Sequence, residues 1–586
     1  MNRRIVSIIV LILSLSLFGF LLYSTSFNDR LDKFYVSEDE WSKITETRNE
    51  DITLDISALK INHEKPFVSD GNTIYYSMID GDANRLNPTI QIGSGLKLAI
   101  KGEKMSDESI AQNTMQQLLV YSNKFYKVFD LVTTNLPLLS IDYESDLPTS
   151  REDVGFNMSL YDNRKGILSR MINSYGKLHK RGGSSFISKK GSYSVDLAQK
   201  SLGDNVRSNP KSLLGMRESD KWVLNNVSYD FEKVRDYFAT KLWSSSSADR
   251  HSFDFNNSSE WEFVEVIENG TYSGLYLLGH KPDKDMINYD ANAEHPDILF
   301  KADEDDNFYD FIIGKINYLE YYSLETDDID RDMAYNVLRD YIKSLYGSDP
   351  NEMDKYTDFK NAIDFNIILN VTQNIDAPRH LQGMLKNAYI TFMWDGDHYR
   401  AVLTPWDFDN AFGSYSLDGL QYNSSAEENV LLTSDYIAAK RRIGDTEICR
   451  SLATRYRELR QGVWDDDHVN KIIDTAESKI YNSGAFLRDL NRWPNTNHGD
   501  ANLKLSQFRD YVLSRFSYLD TYYLPLDTRA MEAEELYVFP NYISVYLSTG
   551  ILLSPDDPEY LEAKPEKVED EPDVTEDEVF YYDFDF

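Results

Sequence analysis

Along this chain the apolar residues keep two different rhythms. Leu96-Leu98-Ile100 and Tyr193-Val195-Leu197 alternate with other residues at the period of a strand. Ile52-Leu54-Ile56 alternates in the same way, and turn signals at Asp70-Gly71-Asn72 and Asp80-Gly81-Asp82 break the region 31–146 into strands, with one helix at 107–119. Past Leu139, strands and hairpins continue. Residues 263–267 and 274–278 flank Glu268-Asn269-Gly270-Thr271, a hairpin signal centred on Asn-Gly. A helix over 230–243 puts Val234, Tyr237, Phe238 and Leu242 on one face. The polar stretch 283–310 reads as an irregular insertion.

Beyond it the rhythm changes to every third or fourth residue, predicting helices at 331–346, 354–373, 446–462, 468–482 and 505–522, with a strand at 399–403. One more strand is expected within 538–552. Strands with one helix, followed by a mostly helical half, outline a two-lobed α+β domain. The expected layout is an N-terminal segment 1–27, a small mostly-β accessory domain 28–135, a large domain 136–525 and an extension 526–586.

The two ends are different in kind. Arg3 and Arg4 precede the uncharged run 5–23, long enough to cross a bilayer, so the reading is a single-pass membrane anchor with the bulk of the chain extracytoplasmic. A removed signal peptide, which leaves the protein secreted or coat-associated, is the alternative. At the other end, residues 556–585 hold fourteen carboxylates and two lysines, the composition of a disordered acidic tail. The whole chain of 586 residues carries a net charge of −36, which argues against nucleic acid and favours basic or metal-bridged partners. Cys449 is the only cysteine, so intrachain disulfides and cysteine-built zinc sites are excluded.

Candidate chemistry gathers at a few turns. The strand at 399–403 delivers Trp406-Asp407-Phe408-Asp409, two carboxylates in a turn that suits a divalent metal. Upstream, Asn374-Ile375-Asp376 follows an apolar stretch and leads to Lys386-Asn387. A carboxylate base, an amide and a metal-binding carboxylate in that order are the parts of a phosphoryl-transfer site. Arg181-Gly182-Gly183-Ser184-Ser185 is a turn whose backbone N–H groups can cradle phosphate, and Lys189-Lys190 leads into a strand able to project a lysine at the same group.

Taken in order, these segments resemble the spore coat protein CotH kinase family. The resemblance runs from about Leu136 to Asp520 and is carried by Arg181 to Ser185 with Lys189-Lys190, Leu214-Gly215-Met216 with Trp222 to Asn225, and Asp230 with Arg235. Asn269-Gly270 with Gly274 to Leu278, Asp376 with Lys386-Asn387, and Trp406 to Asp409 continue it. It implies an abbreviated two-lobed protein-kinase-like fold that holds ATP with Mg²⁺ or Mn²⁺. Asp376 is then the catalytic aspartate and Asp407 the metal-binding one, with Asn387 and Asp409 as further metal ligands. Arg181, Gly182, Gly183, Ser184, Lys189, Lys190 and Trp406 surround the nucleotide, Lys190 rather than Lys189 pairing with its phosphates.

Two functions from different classes follow. One is an exported or membrane-anchored atypical serine/threonine protein kinase acting on Ser-rich, basic proteins of a spore coat or cell envelope. The other is a catalytically inactive coat or surface scaffold that keeps the fold. A metal-dependent hydrolase lacks the His and Asp clusters usual for a two-metal site.

Overall fold

The Asn269-Gly270 turn closes one hairpin of a barrel. The computed structural model describes residues 27–145, 147–201, 206–302, 322–346, 349–374, 387–414, 422, 425–427, 434–494 and 505–525. Seven of its strands form the barrel: β1 (Leu138–Tyr143), β2 (Val154–Tyr161), β3 (Met171–Arg181), β4 (Ser192–Ala198), β5 (Lys221–Asn225), β6 (Glu260–Glu268) and β7 (Thr271–His280). Their order is β1-β2-β3-β4-β5-β7-β6, and the parallel pairing of β6 with β1 closes the ring. Alternation decides what points inward. Phe156, Met158 and Leu160 on β2, Tyr193, Val195 and Leu197 on β4, and Trp222 and Leu224 on β5 meet in one apolar cluster. β6 and β7 are buried on both faces along most of their length, and Glu265 of β6 is buried only because Arg488 pairs with it at 2.7 Å. Val264, Val266, Tyr276 and Leu278 face the barrel, while Phe263, Leu275 and Leu277 belong to a second, larger core.

That larger core is built on α1 (Arg235–Ser246), which packs against β6, and on an antiparallel sheet of β8 (Ile298–Ala302), β9 (Tyr322–Leu324), β10 (Ala388–Trp394) and β11 (Tyr399–Pro405), ordered β9-β8-β10-β11. Helices α2 (Arg331–Tyr346), α3 (Pro350–Tyr356), α4 (Phe359–Thr372), α5 (Asp435–Arg442), α6 (Glu447–Arg460), α7 (Asp466–Ile480), α8 (Ala485–Arg492) and α9 (Ser506–Tyr523) complete it. α4 is buried from Asn361 to Thr372, as expected of a helix surrounded by others. Its Asn361 exchanges two hydrogen bonds with Leu403 of β11, at 2.7 and 3.0 Å, and so fixes the strand that leads into the Trp406 turn.

The region before β1 is a six-stranded mixed sheet and a three-stranded one around their own core. It meets the barrel through Phe67, Tyr75, Val132, Leu138, Tyr161, Ile267 and Tyr272, with Tyr75 stacked on Tyr272 at 5.5 Å.

Several sequence expectations change. The helix expected at 354–373 is two, α3 and α4, separated by extended Thr357 and Asp358, and the helix expected at 230–243 begins only at Arg235. Ile52-Leu54-Ile56 is not a strand: Asp51 and Asp55 accept the N–H groups of Thr53 and Ser57, and the segment turns on itself. The helix expected at 107–119 stops at Ala111, Asn113 is left-handed, and Gln116–Tyr121 is a strand. The insertion at 283–310 contains β8. The run 5–23, the strand expected in 538–552 and the acidic tail lie outside the described residues. Among the described residues no helix is long and apolar enough to cross a membrane.

Candidate functional site

Where the barrel meets the larger core, strand ends and loops from both line one polar pocket. Arg181, Gly182, Gly183 and Ser185 come from the end of β3, Asn225 to Asp230 from the end of β5, and Asp236 from the first turn of α1. Trp261 of β6, Asn387 at the start of β10, and Trp406, Asp407, Asp409 and Asn410 after β11 complete the wall. Strand ends collect chemistry because the sheet fixes direction while the following turn is free to vary.

The turn after β11 is the most constrained part. Asp407 has φ +60° and Phe412 φ +50°, left-handed values that cost energy in any residue with a Cβ. Bonds from three parts of the chain hold it: the start of β10, the end of α4 and the first turn of α1. The Trp406 N–H donates to the Asn387 carbonyl at 2.9 Å, and the Phe412 N–H to that of Thr372 at 2.6 Å. Asn374 Nδ2 donates to the Asp407 carbonyl at 2.9 Å. The Phe408 N–H donates to Asp236 Oδ1 at 2.7 Å, and Arg235 Nε to the Ala411 carbonyl at 2.9 Å. Asn387 itself has φ +52°, and Val227 across the pocket has φ +46°, rare for a β-branched residue. Strain of this kind concentrates at functional sites.

Charge gathers at the same place. Asp236 is buried, and burial together with the neighbouring Asp407 pushes its carboxyl up to about 8. Arg181, the one cation among the described pocket-lining residues, pulls in the opposite direction and lies 5.9 Å from the Trp406 ring. Trp406 also packs on Trp261 at 5.5 Å and edge-on to Tyr389 at 5.9 Å. Burial and Asp409 raise the Tyr229 phenol. Gly182 must be glycine: its φ is +105°, and a Cβ there would stand 1.8 Å from the Ser185 hydroxyl oxygen.

The pocket thus unites Arg181, Gly182, Gly183, Asn387, Trp406, Asp407 and Asp409. Ser184 opens a short 3-10 turn beside them. Asp376 and Lys386 lie outside the described residues. Lys189 is exposed, and Lys190 is not brought to the pocket wall. Its ammonium is fully buried, 2.6 Å from Asp489 Oδ1 of α8, 2.5 Å from the Leu275 carbonyl and 4.6 Å from the Tyr276 ring centre. Lys233 approaches the other Asp489 oxygen at 3.5 Å.

Sequence reasoning missed Asp236, which sits in an ordinary helical stretch, and gave no chemical role to Asn225, Asn226 or Asp230. Their signal was the polar run closing β5, Asn225-Asn226, with Asp230 shortly after it. Asn226 Nδ2 donates to the Lys190 carbonyl at 2.5 Å, and its N–H to the Ser192 hydroxyl at 3.0 Å. Asp230 receives the Arg235 N–H and guanidinium at 2.7 and 2.6 Å.

Whether the pocket suits a metal nucleotide is tested by its donors. Among the described residues no group of three His, Cys, Asp or Glu converges as a protein-built metal cage. Asp407, Asp409 and Asn387 supply hard oxygens only, which suits Mg²⁺ or Mn²⁺ held by one or two carboxylates and by phosphate. The buried Ser228 hydroxyl on the pocket wall has no hydrogen-bond partner among the described residues, as expected where a polar ligand completes the site. The group fits.

A family model described as CotH kinase protein matches residues 178–519, which include every described residue of this pocket. No curated protein matches the chain.

Proposed function

Because the chain belongs to the CotH kinase family, we propose that it is an atypical protein kinase that transfers the γ-phosphoryl group of ATP to serine or threonine hydroxyls of a protein. The observation that carries this reading is the meeting, in one pocket, of the Arg181-Gly182-Gly183 turn with Asn387 and the strained Asp407 turn. Asp407, Asp409 and Asn387 would hold Mg²⁺ or Mn²⁺, which when bound neutralises phosphate charge. Arg181, which lines the pocket, would meet the phosphates in place of the buried Lys190. Trp406 offers an aromatic wall to the base, and Asp376 is the proposed partner of the substrate hydroxyl. A Ser-rich, basic protein of a spore coat or cell envelope is the proposed substrate, in keeping with the net charge of −36. The run 5–23 supports placing the enzyme at a membrane with its bulk outside.

The engagement of Lys190 with Asp489 favours one second reading, a scaffold that keeps the fold without transfer. The full-length chain and Asp407→Ala, given labelled ATP, Mn²⁺ or Mg²⁺ and a basic Ser-rich acceptor, separate the two. Acceptor labelling that Asp407→Ala loses supports the kinase. No labelling, with no ATP-dependent rise in the wild-type unfolding temperature, overturns it in favour of the scaffold.

A further inference from the structure

Two consecutive residues of α1 grip the Asp407 turn. Asp236 Oδ1 accepts the Phe408 N–H at 2.7 Å, and Arg235 Nε donates to the Ala411 carbonyl at 2.9 Å, so one acceptor and one donor bracket residues 408–411. Each is itself held in place. Asn225 Nδ2 donates to Asp236 Oδ2 at 3.1 Å. Arg235 is bound by Asp230 at 2.6 Å and Glu232 at 2.9 Å, all three buried. Glu232 in turn accepts the Tyr422 hydroxyl at 2.6 and 2.7 Å. The residue just before the gripped segment, Asp407, is left-handed, and so is Phe412 just after it. A Phe408 N–H fixed in direction also fixes the plane of the 407–408 peptide, and with it the direction in which the Asp407 side chain leaves the backbone.

We propose that Asp236 is a positioning residue: through the Phe408 amide it holds Asp407 in its left-handed conformation with the carboxylate on the pocket wall, and Arg235 closes the far end of the same clasp. This rests on the phosphoryl-transfer reading, because it assigns Asp236 to the orientation of that site's metal-binding aspartate. What the site requires at position 236 is a short side chain with an acceptor oxygen aimed at Phe408. A full charge is not required, and Asp236→Asn keeps the oxygen.

The test uses the full-length chain as wild type, Asp236→Ala, Asp236→Asn and Asp407→Ala, with two readouts. Hydrogen exchange at the Phe408 amide, without metal or nucleotide, reads the clasp directly. Steady-state transfer to a basic Ser-rich acceptor reads kcat and the KM for ATP. Asp236→Ala is expected to speed exchange at Phe408 about tenfold. It should also lower kcat about thirtyfold while the KM for ATP stays within about threefold. Asp236→Asn should stay nearer wild type than Asp236→Ala in both readouts, since its amide oxygen can accept the Phe408 N–H while its Nδ2 gives up the Asn225 bond. If Asp236→Ala does not fold, Asp236→Ser replaces it, because its hydroxyl is too short to reach Phe408.

Unchanged exchange in Asp236→Ala overturns the clasp. So does a loss of kcat in Asp236→Asn as deep as in Asp236→Ala with exchange preserved, which would make Asp236 a charge-bearing metal ligand instead. A wild type that binds no ATP and transfers nothing sinks the kinase reading, and the exchange readout then decides the clasp alone.

Discussion

Lys190→Met separates two roles for a lysine that sequence places at the phosphates and structure places elsewhere. The Lys190 and Asp489 side chains are both 0% exposed, so removing the ammonium leaves a carboxylate in the interior. Removing one partner of such a pair costs about 3–5 kcal/mol. Asp489 keeps the Leu275 N–H at 2.9 Å and Lys233 at 3.5 Å, which puts the expected loss at the low end, ~3 kcal/mol. At about 2 °C per kcal/mol for a large domain, that is a fall of ~6 °C in unfolding temperature. Methionine nearly matches the lysine stem in volume, so a cavity adds little. The assay is thermal unfolding of wild type, Lys190→Met and the exposed-lysine control Lys189→Met, each with and without Mn²⁺-ATP. The expected result is a lower melting point for Lys190→Met alone, with the ATP-dependent rise retained. An unchanged melting point together with a lost ATP response would refute this reasoning and return Lys190 to the phosphates.

Burial, opposed by Asp489, pushes the Lys190 ammonium down from 10.5 to about 8. The unfolded lysine keeps its proton to a higher pH than the folded one, so this group's contribution to stability grows as pH climbs from about 8 to about 10.5. The difference in unfolding free energy between wild type and Lys190→Met should therefore rise across that window; a flat difference would remove the shift. Gly274→Ala should destabilise by about 2 kcal/mol or more, since φ is +110° and the new Cβ would stand 2.2 Å from Asp489 Oδ1. In an Asp489→Ala background the cost should shrink by more than about 0.5 kcal/mol in denaturant titrations, and strict additivity would contradict the contact. Trp406→Ala should cost ~3 kcal/mol through its contacts with Trp261 and Tyr389. It should also abolish the ATP-dependent rise in melting point, whereas Trp406→Phe should keep part of both.

How much of this was legible in the sequence depends on how far apart the cooperating groups lie. The Asp407 turn stood out because it follows a strand pattern and the Arg181-Gly182 turn because of its paired glycines, and β3 and β11 place both on the pocket. Helix 331–346 matches α2 residue for residue, since its apolar stripe has one period and one face. Lys190 misled because Lys189-Lys190 reads as a basic pair, whereas its partner lies 299 residues away on α8. Asp236 was invisible for a related reason. At the start of a helix an aspartate ordinarily faces water and the helix dipole. Here it is enclosed by Asn225 from β5 and by the turn after β11, contacts that exist only once the fold has formed. Ile52-Leu54-Ile56 failed in the opposite sense, because Asp51 and Asp55 offered the backbone nearer partners than a neighbouring strand.

The backbone at position 407 separates a capping role for the aspartate from a functional one. In the hairpin between β6 and β7 the left-handed positions are Asn269 and Gly270, residues that adopt such angles at little cost. At Asp407 the chain accepts φ +60° with a carboxylate beside Asp236 instead. Left-handed geometry costs most residues with a Cβ about 1–2 kcal/mol, and aspartate, which tolerates it much as asparagine does, about 1 kcal/mol or less. Glycine there gives back about 0.5–1 kcal/mol of that through the greater freedom of its unfolded chain. Asp407→Gly also removes the neighbouring charge that helps raise Asp236. The balance predicts that Asp407→Gly melts at or slightly above the wild-type temperature while acceptor labelling disappears. Such a trade of stability for activity marks a residue retained for its chemistry. If Asp407→Gly instead melts several degrees lower, the carboxylate holds the turn together, and a structural cap accounts for it without any metal.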